Sequence, residues 1–210
     1  MKIICIGRNY ADHAKELNNP IPAAPLIFMK PSSALLVNQK PLYYPEFTEE
    51  LHYEAEVVLK IDRNGRHVQE EFAHKYYSQI ALGIDFTARD IQRRCKAKGH
   101  PWEIAKGFDG SAALGSFVPL DEVRGENGIE FFLHKNGEEV QRGLTRDLLF
   151  PFDRLIVEVS RYFKLHMGDL IFTGTPAGVG PVQIGDELEG FAIRRGPARE
   201  AIPLLRCAIK

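Results

Sequence analysis

The chain has 210 residues, of which 44% are hydrophobic and 26% are charged, and its 27 lysines and arginines nearly balance its 28 aspartates and glutamates. This composition suffices to bury a core without disulfides or a structural metal, and the balanced charge argues against a nucleic-acid or membrane partner. The cysteines, Cys5, Cys95 and Cys207, are odd in number and lack CxxC spacing, which argues against a disulfide framework and a zinc site.

The N-terminal segment carries a charge and a glycine too early for a secretory signal, and no stretch approaches the ~20 apolar residues of a membrane span. We therefore expect a cytoplasmic protein that binds small molecules. No internal repeat, low-complexity tract or linker interrupts the sequence. This continuity predicts a single domain over residues 1–210.

The first part of the chain predicts short strands around one helix. Residues 2–6 (KIICI) are typical of a buried strand, and Asn9 or Asp12 is expected to cap a helix that runs to about Leu17. The apolar run LIFMK at 26–30 predicts a second strand.

The next part predicts two longer strands. One spans roughly residues 54–61 and is followed by Asn64-Gly65, a dipeptide typical of a hairpin turn. The other is QIALGID at 79–85. Thr87 and Asp90 then have the spacing of a capping box for the helix ARDIQRRCKAK, which is expected to end at Gly99.

In the last part, strands dominate. Asn136-Gly137 lies between FFLHK and EEVQR and predicts a hairpin, and residues 152–163 have apolar side chains at helical spacing. A strand is predicted at 169–173. From Gly185 to the C-terminus, the alternating pattern of residues predicts further short strands. The sequence therefore predicts an α+β fold that is mostly β.

Two glutamates in the strand HYEAEVVLK are unusual, because the residues that follow them are typical of a buried strand. Glu54 and Glu56 share a strand face, so both carboxylates can converge on one cation. Asp85 ends an apolar strand and is a candidate third ligand for Mg²⁺ or Mn²⁺. By spacing alone, a solvated face remains the more common explanation for such a pair. Strict alternation also places His52 on this face, where we interpret it as structural.

Five separated blocks carry a further signal: GRNYADH, the glutamate pair, GIDFTARDIQ, KGHPWEIAKGFD and GTPAGVGP. Together and in this order they closely resemble the fumarylacetoacetate hydrolase family, in particular its short acylpyruvase and oxaloacetate decarboxylase members. The resemblance covers nearly the whole chain. It implies a mixed β-roll or sandwich with flanking helices, like the C-terminal domain of fumarylacetoacetase, and a homodimer.

The resemblance also implies roles for particular residues. Glu54, Glu56 and Asp85 match the family's Mg²⁺ or Mn²⁺ ligands. The family's catalytic His–Glu pair matches His13 and Glu16, which stand three apart on one helix face. The remaining matches are a catalytic lysine at Lys106 and substrate-binding residues at Arg8, Gln92 and Thr175.

Three functions remain open. The first is a metal-dependent hydrolase of C–C bonds in acylpyruvates, or a decarboxylase of oxaloacetate, acting through a pyruvate enolate. The second is an oxaloacetate keto–enol tautomerase, or an isomerase of aromatic catabolism, on the same fold. The third is a non-catalytic protein that senses an oxo acid. The first two share one enolate, so the sequence does not separate them.

Overall fold

The computed structural model describes residues 1–17, 20–37 and 39–210, and strands dominate its regular structure. The strands are β1 (Ile3–Gly7), β2 (Leu26–Lys30), β3 (Leu35–Leu36), β4 (Leu51–Tyr53), β5 (Ala55–Lys60), β6 (Gln79–Asp85), β7 (Thr87–Ala88), β8 (Ala112–Leu114), β9 (Val118–Pro119), β10 (Arg124–Gly125), β11 (Gly128–Lys135), β12 (Glu138–Leu144), β13 (Leu170–Phe172), β14 (Gly180–Pro181), β15 (Glu187–Ile193) and β16 (Ala201–Ala208). The helices are α1 (Ala11–Glu16), α2 (Glu70–Ala73), α3 (Arg89–Lys98), α4 (Glu103–Lys106), α5 (Leu120–Val123) and α6 (Phe152–Tyr162). The predicted α+β class, mostly β, is confirmed.

The main sheet has the strand order β2-β1-β13-β5-β6-β8-β3, and β9 also pairs with β6. Strand β1 runs parallel to β13, while β5 is antiparallel to both β13 and β6. In the β5–β6 register, Glu56 lies opposite Gly83. A Cβ added at Gly83 would lie 2.6 Å from Phe172 Cε1 and 2.8 Å from Val58 Cγ2. The centre of this sheet is therefore closely packed around the strand pair that carries the acidic residues.

A second sheet has the order β10-β11-β15-β16, with β12 paired to β11, and a small third sheet has the order β14-β4-β7. The two larger sheets pack against each other: a Cβ added at Gly190 would lie 3.1 Å from Leu205 Cβ and 3.3 Å from Leu82 Cδ1. Leu82 and Leu205 belong to one hydrophobic cluster, which also includes Leu155, Ile156 and Val159 of α6. The core thus lies between the sheets and beneath α6.

Helix α1 begins differently from the prediction. Its N-cap is Tyr10, which makes no side-chain capping bond, so neither Asn9 nor Asp12 caps the helix. Asn9 is buried instead, where its Nδ2 donates to the carbonyls of Thr173 (2.7 Å) and Phe150 (3.1 Å). Its amide ties the start of the helix to two distant loops, a tertiary role that overrides the local capping preference.

Helix α3 also lacks the predicted capping box. Thr87 lies in β7, and its hydroxyl donates to the carbonyl of Asp85 (3.2 Å). Asp90 accepts a hydrogen bond from the hydroxyl of Thr48 (2.5 Å). The predicted end is confirmed, because Gly99 is the C-cap with a left-handed φ of 66°.

No helix among residues 1–17, 20–37 and 39–210 is long and apolar enough to cross a membrane.

Candidate metal centre

The antiparallel pairing of β5 and β6 brings together the acidic residues that the sequence singled out. Glu54 stands at the break between β4 and β5, Glu56 lies within β5, and Asp85 is the last residue of β6. The amide of Asp85 donates to the carbonyl of Glu54 (2.9 Å), which fixes the two strand ends side by side. One carboxylate oxygen from each residue lies within 4.8 Å of the other two, and all three residues are buried.

The chemistry of this cluster fits a divalent cation. Burial raises the pKa of Glu56 well above its ordinary value, and the charges of Asp85 and Glu54 raise it further. The carboxylate of Glu56 accepts a hydrogen bond from the amide of Gly174 (2.8 Å). Asp85 Oδ1 lies 2.7 Å from Lys30 Nζ, yet it accepts no hydrogen bond with suitable geometry among the described residues. Three buried carboxylates in one place supply the oxygen ligands that Mg²⁺ and Mn²⁺ prefer.

Two cations that share the cavity with the carboxylates contact them directly. Lys106 Nζ donates to Glu54 Oε2 (2.8 Å) and to Asp85 Oδ2 (2.6 Å), and Arg89 Nη2 donates to Glu54 Oε1 (2.5 Å). Burial alone would raise the pKa of Glu54, but Lys106 and then Arg89 hold that pKa below its ordinary value. Burial would lower the pKa of Lys106, but Asp85 and Glu54 outweigh it and raise that pKa. Lys106 therefore carries a positive charge inside the cavity.

A third cation, Lys30, was not foreseen from the sequence. It ends β2, its side chain is fully buried, and its Nζ forms the ion pair with Asp85. The same Nζ donates to the carbonyl of Ser111 (3.1 Å) and to the carbonyls of Phe86 and Lys106. The one available signal was a lysine at the end of the apolar run LIFMK, which does not reveal its distant partner.

The predicted His13–Glu16 pair is present on α1, and His13 lines the same cavity. His13 Nδ1 lies 3.2 Å from Glu16 Oε2, and Glu16 Oε1 accepts a hydrogen bond from the amide of Gly178 (3.0 Å). Because a carboxylate only accepts hydrogen bonds, this contact requires the proton on Nδ1. In the neutral ring this arrangement leaves the lone pair on Nε2, and the ring lines the cavity that also contains Glu54, Glu56, Asp85 and Lys106.

Comparison with known proteins shows the family to which the chain belongs. The family model for the fumarylacetoacetate (FAA) hydrolase C-terminal domain matches residues 2–202. The chain belongs to the fumarylacetoacetate hydrolase family. Its sequence is 44% identical over 187 residues to "Oxaloacetate tautomerase FAHD1, mitochondrial" of Arabidopsis thaliana, which covers 89% of this chain and 84% of the relative. It is 40% identical over 189 residues to "Oxaloacetate decarboxylase, mitochondrial" of Dictyostelium discoideum, which covers 90% of this chain and 87% of the relative.

The fold is shared with a solved member of the family. A crystal structure of fumarylpyruvate hydrolase from Pseudomonas aeruginosa, in complex with Mn²⁺ and pyruvate, superposes with a TM-score of 0.88 and 34% identity, and the match covers 100% of this chain and 90% of that chain. The predicted fumarylacetoacetase-like fold is therefore confirmed. These relatives are named as enzymes, and that structure contains a divalent metal.

The substrate-binding residues implied by the family resemblance lie around the same cavity. Arg8, Gln92 and Thr175 all line it. Arg8 has a φ of 58°, a left-handed conformation that is costly for a side chain of this kind and is common at functional sites. Gln92 Oε1 accepts a hydrogen bond from Arg89 Nη1 (2.7 Å).

The hydroxyl of Thr175 is already engaged. It donates to the carbonyl of Ala55 (2.9 Å) and accepts from Gln141 Nε2 (2.9 Å). Gln141 Oε1 in turn accepts from the amide of Ala55 (2.9 Å). Gln141, a buried residue on β12 that the sequence did not single out, thus fastens the Thr175 loop to the start of β5 in this family member.

His52 lies outside the carboxylate cluster. Its Nε2 is 3.2 Å from Glu50 Oε1, and among the described residues the group that could hold a metal consists of Glu54, Glu56 and Asp85 without it. The strand is interrupted between β4 and β5, and this interruption ends the strict alternation that would have placed His52 on the same face.

Proposed function

We propose that this chain is a divalent-metal-dependent enzyme that interconverts the keto and enol forms of oxaloacetate or a similar short oxo acid. The observation that carries this proposal is one cavity in which a buried carboxylate cluster faces a His–Glu pair. Oxaloacetate carries hydrogens on the carbon beside its keto group, so removing one yields an enolate. Decarboxylation of oxaloacetate passes through an enolate of the same kind.

In the proposed mechanism, Glu54, Glu56 and Asp85 would hold Mg²⁺ or Mn²⁺. A cation held there would supply a Lewis acid for the keto oxygen of an oxo acid. Glu54 and Asp85 are held for this task by Lys106, Arg89 and Lys30. A preorganised set of ligands avoids reorganisation during the reaction.

His13 moves the proton. Its Nε2 takes a proton from the carbon beside the keto group and delivers it to the enolate oxygen, which gives the enol; the reverse transfer gives the keto form. Glu16 Oε2 accepts a hydrogen bond from the Nδ1–H group, which keeps the ring in the correct tautomer and stabilises its charged form. The amide of Gly178 holds Glu16 in place. Lys106 stabilises negative charge on the substrate through its own positive charge.

A second candidate function, hydrolysis of acylpyruvates, is favoured by the structural similarity to the fumarylpyruvate hydrolase. In that reaction His13 would take its proton from a water molecule that attacks the distal carbonyl. Cleavage of the C–C bond would then release an acid and pyruvate. The same residues serve both reactions, and the substrate distinguishes them.

A substrate screen tests both functions. The protein is freed of metal with a chelator, reloaded with Mg²⁺ or Mn²⁺, and assayed for loss of enol-oxaloacetate absorbance, pyruvate release from oxaloacetate and cleavage of acetylpyruvate. We expect metal-dependent loss of the enol, and we expect the Glu56→Ala variant to lose at least ~100-fold in kcat/KM, as metal-site changes commonly do. Glu46→Ala, at an exposed position, is the matched control.

The outcomes of the screen separate the hypotheses. Fast cleavage of acetylpyruvate with slow enol loss would favour the hydrolase. Full activity of Glu56→Ala would contradict the proposed metal centre. Binding of oxo acids in calorimetry without turnover of any substrate would instead support a non-catalytic sensor.

We further propose that the enzyme acts as a homodimer in the cytoplasm. The dimer follows from the family resemblance alone. A reducing compartment agrees with Cys5, Cys95 and Cys207, which are all buried and free. Light scattering at micromolar concentration should yield about twice the chain mass of 23.7 kDa, and cell fractionation tests the compartment.

A further inference from the structure

The side-chain amide of Gln141, a buried residue on β12, makes three hydrogen bonds. Its Oε1 accepts from the amide of Ala55 (2.9 Å), while its Nε2 donates to the hydroxyl of Thr175 (2.9 Å) and to the carbonyl of Pro176 (3.0 Å). Because a backbone amide only donates and a carbonyl only accepts, these partners fix the orientation of the glutamine amide. Both hydrogens of Nε2 are used. Gln141 therefore joins two segments that are distant from it in sequence.

The first segment is the start of β5, which carries two of the acidic residues. Ala55 stands between Glu54 and Glu56. Its amide donates to Gln141, and its carbonyl accepts from the hydroxyl of Thr175 (2.9 Å). The pairing of β13 with β5 does not extend to this residue. Two side chains therefore supply the hydrogen bonds that a neighbouring strand would otherwise provide to the backbone between the two carboxylates.

The second segment is the loop at residues 174–178, whose amides hold two carboxylates. The amide of Gly174 donates to Glu56 Oε2 (2.8 Å), and the amide of Gly178 donates to Glu16 Oε1 (3.0 Å). The glutamine bonds to the loop between these two amides. One loop thus holds a carboxylate of the metal centre at its first residue and the carboxylate of the His–Glu pair at its last.

The same loop packs closely on β12 beside the glutamine. A Cβ added at Gly178 would lie 2.5 Å from the carbonyl oxygen of Val140 and 3.2 Å from Gln141 Cγ. Thr175 lines the cavity, whereas Gln141 is not among the described residues that do so. An effect of Gln141 on the reaction must therefore pass through the loop and through the start of β5.

We infer that Gln141 is a positioning residue, which holds the loop at residues 174–178 so that the carboxylate cluster and the His–Glu pair keep their mutual distance and orientation. This inference rests on the proposed function, because it assumes that His13 moves a proton on a substrate held at the carboxylate cluster. Displacement of a reacting group by about 1 Å costs on the order of 100-fold in rate. Gln141 acts on this alignment without touching the substrate.

Gln141→Met tests the inference, because methionine has nearly the same length and makes none of the three hydrogen bonds. With oxaloacetate at saturating Mn²⁺, we expect kcat to fall about 10–100-fold and KM to change by less than about threefold, since alignment is lost and no substrate contact is removed. Calorimetry on the metal-free protein should show Mn²⁺ binding weakened about tenfold or more. Glu138→Gln, at an exposed position on the same strand, is the matched control and should resemble the unmodified protein in kcat, KM and Mn²⁺ affinity.

A double-mutant cycle distinguishes positioning from a general structural role. If Gln141 acts through the loop on Glu16, the loss of kcat caused by Gln141→Met should be at least about threefold smaller in a Glu16→Gln background. Losses that multiply without such coupling would overturn the inference. If Gln141→Met does not fold by circular dichroism, the same measurements on Gln141→Glu decide, because a carboxylate retains the acceptor for Ala55 and lacks both donors to the loop.

The outcomes also separate this inference from the proposed function. An active unmodified protein whose Gln141→Met variant keeps full kcat and Mn²⁺ affinity would overturn the positioning role and leave the proposed function intact. Turnover of no oxo acid by the unmodified protein would reject the proposed function. The Mn²⁺ affinities would then still decide whether Gln141 supports the metal centre, and an unchanged affinity in Gln141→Met would overturn the inference as well.

Discussion

The side chain of Lys30 places its amino group in the protein interior, and the residue is only 2% exposed to solvent. It is satisfied by the carboxylate of Asp85 and by the carbonyls and hydroxyl around it. Each of these partners also depends on the lysine, because a buried carboxylate without its cation is costly. Lys30 therefore supports the metal centre from beneath, although it does not line the cavity.

We predict that replacing Lys30 causes a large loss of stability. Lys30→Met keeps the volume but removes the cation beside Asp85 Oδ1 and the donor to several carbonyls, which should cost about 3–5 kcal/mol of unfolding free energy. Urea denaturation of the metal-free protein measures this loss of unfolding free energy. Lys15→Met, whose side chain is 70% exposed, should change stability by less than about 0.5 kcal/mol. Equal denaturation midpoints for the two variants would contradict this account of Lys30.

At the scale of elements, one carboxylate secures the parallel pairing of β1 and β13. Asp169 precedes β13, and its carboxylate accepts hydrogen bonds from the amide of Lys2 (2.7 Å) and the amide of His166 (2.8 Å). Lys2 Nζ adds an ion pair at 2.5 Å. Burial would raise the pKa of Asp169, but the contacts with Lys2 and His166 outweigh it and hold that pKa below its ordinary value.

This contact predicts a pH dependence of stability. Because the folded pKa of Asp169 lies below the unfolded value of about 3.9, its contribution is fully present above that pH and is lost as the pH falls through the folded pKa. Asp169→Asn should cost about 1–2 kcal/mol at pH 7 and progressively less in acid. Denaturant titrations between pH 7 and pH 3 measure the difference. Asp12→Asn, whose side chain is 82% exposed, should parallel the unmodified protein throughout.

Two Asn-Gly dipeptides show how far local sequence predicts an element. Asn136 and Gly137 have φ angles of 54° and 82° and join β11 to β12 in the predicted hairpin. Asn64-Gly65 was wrongly predicted as a hairpin, because Gly65 pairs with Leu165, far along the chain, and the segment continues into α2. A Cβ on Gly65 would lie 2.4 Å from the ring of Tyr76. Glycine at position 65 therefore permits the close approach of the Tyr76 ring.

For the whole molecule, one hydrophobic cluster includes residues of the main sheet, the second sheet and α6. Because no layer buries its apolar face alone, we expect the layers that share this core to unfold together, and a single domain over residues 1–210 stays a prediction. The cavity lies at the edge of this core, with Trp102 in its wall. The ring of Trp102 packs edge-to-face against Phe28, with centroids 5.9 Å apart.

The shared core predicts a single cooperative unfolding transition. The chain contains one tryptophan, so its fluorescence reports the cavity wall while far-UV circular dichroism reports all the strands. If residues 1–210 form one domain, both signals should follow the same urea curve with the same midpoint. Separate midpoints would indicate that the cavity side unfolds independently of the sheets.

The sequence by itself determined the mostly β class and the main strands, because alternation and apolar runs are local properties. It also identified Glu54, Glu56 and Asp85 as candidate ligands, since spacing and ordered motifs are visible along the chain. Only the tertiary structure placed Lys30 and Gln141 near them and brought Lys96 to the wall of the same cavity. Those contacts join residues that are distant in sequence, and their energies depend on burial and on neighbouring charge, which arise only when the strands pack together.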